Sequence, residues 1–230
     1  SAIKRCRTAA LGGHIDACDS CGKINISYNS CRNRHCPKCQ GNKRDDWIEA
    51  RTTELLPVPY FHVVFTLPDS LNSLAIHNPK LVYDLLFETA WATLKTFGKN
   101  KGLQSGMIAV LHTWGQNLSL HPHLHCIVPG GGVEKEGNWK NVRSDGNFLF
   151  PVKALSKVFR AKFCAALKER HYEQYLKIQK RLWEKQWVVF AKKPFGNAHS
   201  VVEYLGRYTH KIAISNNRIK SIDTQNVTFA

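Results

Sequence analysis

Leu111-His112-Thr113-Trp114 and Leu120-His121-Pro122-His123-Leu124-His125-Cys126-Ile127-Val128 are the stretches whose reading decides the fold. In the second, imidazole and apolar side chains alternate with the period of a strand. His123 and His125 therefore share one face, while Leu124 and Cys126 enter the core. Gly106–Trp114 reads as a second strand, and the short polar connection makes the two a hairpin. Two imidazoles two residues apart on a strand can hold one divalent ion, and a third from the neighbouring strand completes a facet with positions left for water and substrate. His112 is placed to be that third ligand. His121 competes with it, although Pro122 turns the start of the strand aside. Imidazoles suit manganese, zinc, cobalt or nickel better than magnesium, which would need oxygen donors from phosphate and water.

The flanking sequence has an α/β texture. Tyr60–Leu67 (YFHVVFTL) is β-branched and aromatic and is closed by Pro68, a strand. Pro79–Phe97 carries Leu81, Val82, Leu85, Leu86, Trp91 and Leu94 at helical spacing. Pro151–Lys185 is a long basic helical stretch with a break expected near His171. Ten Lys and Arg against three Glu between Lys153 and Lys185 make it a candidate DNA-facing surface. Trp187–Ala191 reads as a strand, His199–Lys211 as a short helix, and short strands follow. Ahead of this domain a helix is expected from Asp45 to Leu56, ended by Pro57 and Pro59. The final Thr228-Phe229-Ala230 stops inside an apolar run, so the domain is expected to continue beyond it.

Residues 1–45 lack apolar periodicity and hold six of the eight cysteines. Cys18-x2-Cys21 and Cys36-x2-Cys39 have the spacing of a zinc ribbon, each pair supplying one side of a tetrahedron. Cys6, His14, Cys31 and His35 interleave with these pairs and are candidates for a second, cross-braced zinc site. Arg32, Arg34, Lys38, Lys43 and Arg44 surround the second pair and would present positive charge to phosphates. Cys126 and Cys164 stand alone in apolar surroundings and read as buried small hydrophobes.

The balance of 33 Lys and Arg against 17 Asp and Glu gives a net charge of +16, which favours a polyanionic partner, nucleic acid above all. No uninterrupted apolar run approaches twenty residues and no secretory leader opens the chain. These features point away from a membrane partner and toward the cytoplasm and its nucleoid. Trp114, Trp139, Trp183 and Trp187 are candidate platforms for stacking bases, each also readable as core.

Tyr204 and Tyr208 are four residues apart, one above the other on a helical face. Alone they would be ordinary core or surface residues. Together with the Cys-rich block Ser30–Gln40, Phe61–Pro68, His121–Gly132 and Tyr204–Ile214, they resemble the HUH endonuclease superfamily. Within it, the chain is similar to the rolling-circle transposases of the insertion-sequence ninety-one family. The resemblance implies that His123 and His125 are paired metal ligands and that Tyr204 and Tyr208 are nucleophiles. His112 as third ligand rests on strand geometry and a looser similarity to three-His relaxases. The implied activity is cleavage and rejoining of single-stranded DNA, or of the hairpin ends of a mobile element, through a 5′-phosphotyrosine. Structural zinc and a catalytic magnesium or manganese ion would be its cofactors. Arg207 and Lys211, beside the tyrosines, are candidate DNA contacts and cations able to favour a phenolate.

The expected fold class is α+β: a zinc-ribbon-like module over 1–45, a connecting helix over 46–59, and an HUH domain over 60–230 with a central antiparallel sheet flanked by helices. Two rival functions remain at this level. One is a zinc-module DNA-binding protein without catalysis; the other is a metal-dependent hydrolase using activated water and forming no covalent intermediate.

Overall fold

The structure, a computed structural model, describes residues 2–33, 36–115, 117–143, 149–192, 198–209, 219–222 and 225–229. In order the elements are β1 (Gly13–Ala17), β2 (Ile24–Tyr28), α1 (Pro37–Thr52), β3 (Tyr60–Thr66), α2 (Asn72–His77), α3 (Pro79–Lys99), β4 (Ile108–Trp114), β5 (Leu120–Pro129), β6 (Gly131–Val133) and β7 (Trp139–Asn141). They continue as α4 (Val152–Arg170), α5 (Tyr172–Glu184), β8 (Val189–Lys192), α6 (Ala198–Thr209), β9 (Ile219–Ile222) and β10 (Val227–Phe229). The chain divides into two compact units, Ser1–Arg51 with Thr209–Ala230, and Thr52–Tyr208. No described helix is long and apolar enough to cross a membrane.

The larger unit is built on a four-stranded antiparallel sheet in the order β4-β5-β3-β8. The fold is α+β, as expected. Residues paired across an antiparallel ladder lie on the same face, so the register sorts the sheet into two surfaces. Phe61, Val63, Phe65, Leu124, Cys126 and Val128 occupy one face and belong to the buried core. Tyr60, His62, Val64 and Thr66 on β3 share the other face with His123, His125, Ile127 and Pro129 on β5.

Helices α3 and α4 cover the core face. Pro79 opens α3, where its missing N–H costs nothing, and Val82, Leu85, Leu86, Ala90 and Leu94 form the buried stripe. On α4, Leu155, Phe159, Phe163 and Leu167 are buried at the same spacing. Phe159 meets Phe65 edge-on at 5.0 Å and Trp187 at 5.3 Å, an aromatic cluster that locks helix to sheet. His171, at φ −143° and ψ 62°, breaks the long helical stretch into α4 and α5 as expected. The basic residues of α4 and α5 therefore belong to the helical layer behind the sheet. The buried stripe of α4 packs on the core face, opposite the histidines. Trp187 is core, whereas Trp183 is half-exposed beneath the Arg160 guanidinium.

In the smaller unit β1 and β2 form an exposed antiparallel hairpin, and α1 begins inside the second cysteine pair. The helix expected from Asp45 to Leu56 thus starts at Pro37 and ends at Thr52. The reason is local. Proline suits a first helical position, and the Gln40 amide already donates to the Cys36 carbonyl at 2.9 Å. A spacing read only as a metal knuckle is also a helix start.

Candidate active site and metal centres

The β4–β5 and β3–β5 registers assemble a histidine cluster on the sheet face away from the helices. His112 pairs with His123, and Val110 and Val64 flank His125 on either side. His112, His123 and His125 are all buried, and their nearest ligand atoms lie within 4.8 Å of one another. His112 Nδ1 and His123 Nε2 are 3.2 Å apart. Two donors about 2.1 Å from one ion stand about 3.0–3.4 Å from each other, so this edge fits a shared divalent metal. The ring of His123 is aimed by its Nδ1–H, which donates to the His121 carbonyl and leaves Nε2 as the lone-pair atom. His121 itself is exposed and outside the cluster. Trp114 lies against His112 with ring centroids 4.1 Å apart.

A fourth imidazole had no role in the sequence reading. His62 on β3 is buried, its ring stacked on His125 at 5.1 Å, and its Nε2 is 2.8 Å from His125 Nδ1. For His125 to offer Nε2 to a metal, Nδ1 must carry the proton and donate it to His62 Nε2. Tyr204, on α6, sets its ring edge-on to His62 with centroids 5.2 Å apart. One candidate nucleophile is therefore one imidazole away from a candidate metal ligand. Tyr208 lies on the same helix, at its C-terminal end. Lys192, the β8 partner of His62, adds a cation on this face.

Burial holds these imidazoles neutral. It pushes His62 down to about 4, with further repulsion from Lys192 and His123, and His125 to about 3, with His123, His62 and His112 adding to the effect. His123 is also lowered, chiefly by burial. Neutral rings are what metal ligation needs. The unfolded chain takes up these protons near pH 6.5, which the fold resists, so between the two values the unfolded state binds more protons. Metal-free protein is therefore expected to lose stability as pH falls from about 6.5 through about 4, seen as a falling urea midpoint. A midpoint flat over that range would contradict the burial of these rings.

In the smaller unit the thiols group differently from the expected ribbon. Cys6, Cys31, Cys36 and Cys39 converge, with sulfur atoms within 4.8 Å of one another. Cys6 Sγ is 3.5 Å, and Cys31 Sγ 3.8 Å, from Cys39 Sγ. A tetrahedron with about 2.3 Å zinc–sulfur bonds has edges of about 3.8 Å, so the set fits zinc. Burial opposes ionisation of Cys36, but the Cys39 amide and the neighbouring thiols outweigh it and bring it to about 7. Cys31, although favoured by the Asn33 amide, is pushed to about 12 by burial and by the other sulfurs competing for its proton.

Cys18 and Cys21 stand apart from this cluster, exposed at the turn joining β1 to β2. The amides of Ser20 and Cys21 lower Cys18, and Gly22 at φ 67° closes the turn. The hairpin explains the regrouping. Its base is tied by Arg7 N–H to the Asn29 carbonyl and by Asn29 N–H to the Gly12 carbonyl, which brings Cys6 beside Cys31. Its tip lies five strand residues away, roughly 16 Å. His14, on β1, is exposed and 3.9 Å from the Asp16 carboxylate; His35 lies outside the described residues.

Cys6→Ser and Cys39→Ser are each expected to lose the zinc and unfold residues 1–51, because ligand binding and folding are one equilibrium in such modules. Cys18→Ser should leave that zinc in place. Metal analysis with circular dichroism distinguishes the two, and zinc loss in Cys18→Ser alone would restore the ribbon grouping.

Comparison with known proteins agrees with this architecture. A family described as "Transposase zinc-binding domain" matches residues 1–67, and one described as "Putative transposase" matches residues 106–230, over half of the chain. The chain belongs to this transposase family. It is 47% identical over 252 residues to "Putative transposase y4qJ" of Sinorhizobium fredii, covering 100% of this chain and 62% of that protein. It is 32% identical over 228 residues to the transposase for insertion sequence element IS801 of Pseudomonas savastanoi pv. phaseolicola, covering 93% and 55%. The chain thus spans 55–62% of the length of these relatives. A solved conjugative relaxase, TrwC in complex with oriT DNA, overlaps it with a TM-score of 0.34 and 14% identity, over 47% of this chain and 42% of that one. A metal-free TrwC complex gives 0.35 and 12%, over 64% and 71%.

In this member of the transposase family the N-terminal part is a zinc-binding domain. Of the basic residues picked out around the cysteines, Arg32, Lys38 and Lys43 are exposed, whereas Arg44 is paired with Asp45 at 2.9 Å. Lys38 also donates to the Cys6 carbonyl, tying α1 to the cysteine cluster. Arg34 and Lys211 lie outside the described residues. Alternation in the Tyr60–Leu67 strand could have flagged His62, but only the register with β5 says which of its faces meets the metal ligands.

Proposed function

We propose that this chain is the nucleolytic part of a transposase that cuts and rejoins single-stranded DNA through a 5′-phosphotyrosine, with Tyr204 and Tyr208 as nucleophiles. The observation that carries the reading is the run of contacts from Tyr204 to His62 to His125 at the histidine cluster. His112, His123 and His125 would hold a divalent ion, manganese or magnesium. Such an ion would polarise the non-bridging oxygens of the scissile phosphate and neutralise charge developing there.

The protein's own groups do the rest. The Tyr204 hydroxyl attacks phosphorus; the new Oη–P bond replaces the P–O3′ bond, the phenol loses its proton and the departing 3′ oxygen gains one. The phosphodiester's free energy stays in the adduct, so a 3′-hydroxyl can reverse the step and join strands without ATP. Two tyrosines allow two strands to be held in succession. His62 fixes the orientation of His125, and the positive charge of Lys192, across from His62 on β8, would favour a phosphate on this face. Zinc on Cys6, Cys31, Cys36 and Cys39 would hold the N-terminal domain together, with Arg32, Lys38 and Lys43 contacting phosphates. The site of action would be chromosomal or plasmid DNA in the cytoplasm.

Incubation with a single-stranded oligonucleotide and manganese, followed by denaturing electrophoresis and peptide mapping, tests the reading. The expected result is an adduct on Tyr204 or Tyr208. Cleavage without an adduct would favour water as nucleophile, and binding without cleavage a DNA-binding role alone.

A further inference from the structure

The histidine face of the sheet does not end at the histidines. A cavity of about 310 Å³ opens beside them, walled by Tyr60, Ser105, Met107, Ile108, Ile127 and Trp139. Ile108 pairs with Ile127, Ile127 with His62, and Tyr60 precedes His62 by two residues on β3, so Tyr60, Ile108 and Ile127 stand on the same face as His112, His123 and His125. Ile127 is one same-face step beyond His125, about 7 Å along the strand, on the order of the distance between neighbouring phosphates of an extended single strand.

The chemistry of the walls excludes a phosphate. In a chain of net charge +16, no Lys or Arg among the described residues lines this cavity, and Glu54 does. Apart from Glu54, Gln104 and Ser105, the side chains that line it are apolar, with Tyr60 and Trp139 as its flat walls. The polar atoms of both rings are engaged within the protein: Trp139 Nε1 donates to Asn141 Oδ1 at 2.9 Å, and Tyr60 Oη accepts the Leu56 amide at 2.9 Å. The Trp139 indole lies against Gly131, where an added Cβ would come within 2.8 Å of Cζ2 and 2.2 Å of the Lys140 carbonyl oxygen. Gly132 makes an equally close approach to the Gln104 carbonyl, and the Gln104–Val133 bridge fixes the segment that carries Ser105. The buried Ser105 Oγ has no hydrogen-bond partner among the described residues. A buried hydroxyl of this kind has a donor and an acceptor to offer a ligand.

We propose that this cavity is a nucleobase pocket: it takes one unstacked base of the substrate strand, next to the nucleotide whose phosphate sits at the histidine cluster. Trp139 and Tyr60 supply the aromatic walls and Ser105 a hydrogen bond to the base edge. The proposal rests on the reading of the histidine cluster as the phosphate site. It adds a fixed register between strand and protein, because a base seated here sets which phosphodiester reaches Tyr204.

The test uses the full 230-residue chain and a single-stranded oligonucleotide that it binds, with an abasic site placed at each successive position in turn. One position, within two nucleotides of the cut, is expected to weaken binding about ten-fold, in keeping with the worth of one stacked base. Trp139→Ala should weaken binding of the intact oligonucleotide by a similar factor and cost nothing further on the oligonucleotide abasic at that position. Ser105→Ala should do the same on a smaller scale, without the loss of packing that a tryptophan change risks. 2-Aminopurine at that position should be quenched on binding to the parent protein and brighter with Trp139→Ala. Independent, multiplying losses from the abasic site and Trp139→Ala would overturn the pocket, as would a scan with no sensitive position. Binding is read without cleavage, so an inactive protein that still shows the non-additive pair would keep the pocket and discard the nuclease reading. Cleavage with a flat scan would do the reverse.

Discussion

Tyr204→Phe combined with Tyr208→Phe is expected to eliminate covalent protein–DNA adducts while leaving the fold and DNA binding in place. The change removes two hydroxyls and almost no volume, so the packing of α6 should survive. The chemistry cannot survive, because an Oη–P bond needs an Oη. Adduct yield should fall at least about 10³-fold, the scale on which loss of a nucleophile is felt. The single changes divide the work. Tyr204 is the tyrosine whose ring touches His62, so Tyr204→Phe should lose the first cut. Tyr208→Phe should keep it and lose transfer to a second strand. Denaturing gels of the first adduct and of the joined product separate the two. An undiminished adduct in the double variant would refute tyrosine chemistry outright.

The parts of this molecule legible in the sequence are those governed by local periodicity. Alternation in His123–Val128 gives the strand, its buried side and two of the three clustered histidines. Helical spacing gives α3, and the break at His171 falls where the apolar stripe loses step. What the sequence withholds is register and return of the chain. His62 joins the cluster only because Val64 pairs with His125 and His62 with Ile127; a slip of one residue would have turned its ring into the core. The cysteines make the same point at longer range. Cys-x2-Cys spacing favours grouping Cys18 and Cys21 with Cys36 and Cys39. The hairpin instead puts Cys18 and Cys21 at its tip and gathers Cys6 and Cys31 at its base. Likewise, charge counting finds the basic helices α4 and α5 but not which layer they form. The buried stripe of α4, Phe159 and Phe163 above all, settles that they lie behind the sheet.

His125→Ala and His62→Ala should separate a metal ligand from the residue that aims it. His125→Ala removes one of three imidazoles from a buried cluster, and the remaining two leave an ion held by too few donors. Cleavage is expected to drop at least about 10³-fold, with metal affinity falling alongside it. Binding of single-stranded DNA should change little, because phosphate contacts elsewhere supply most of that affinity. His62→Ala takes away no ligand. It removes the acceptor 2.8 Å from His125 Nδ1, so the His125 ring loses its fixed orientation and proton placement. Losses of about 10–100-fold in metal affinity and in rate are typical of such an outer partner. His62→Gln can return an acceptor oxygen to the same place and should recover part of both. A purely structural His62 would lower stability without shifting metal affinity, and glutamine would not rescue it. Manganese titrations followed by electron paramagnetic resonance, run beside cleavage assays on the three variants, give the decisive comparison. Equal metal affinity in His62→Ala and the parent protein would remove His62 from the catalytic apparatus.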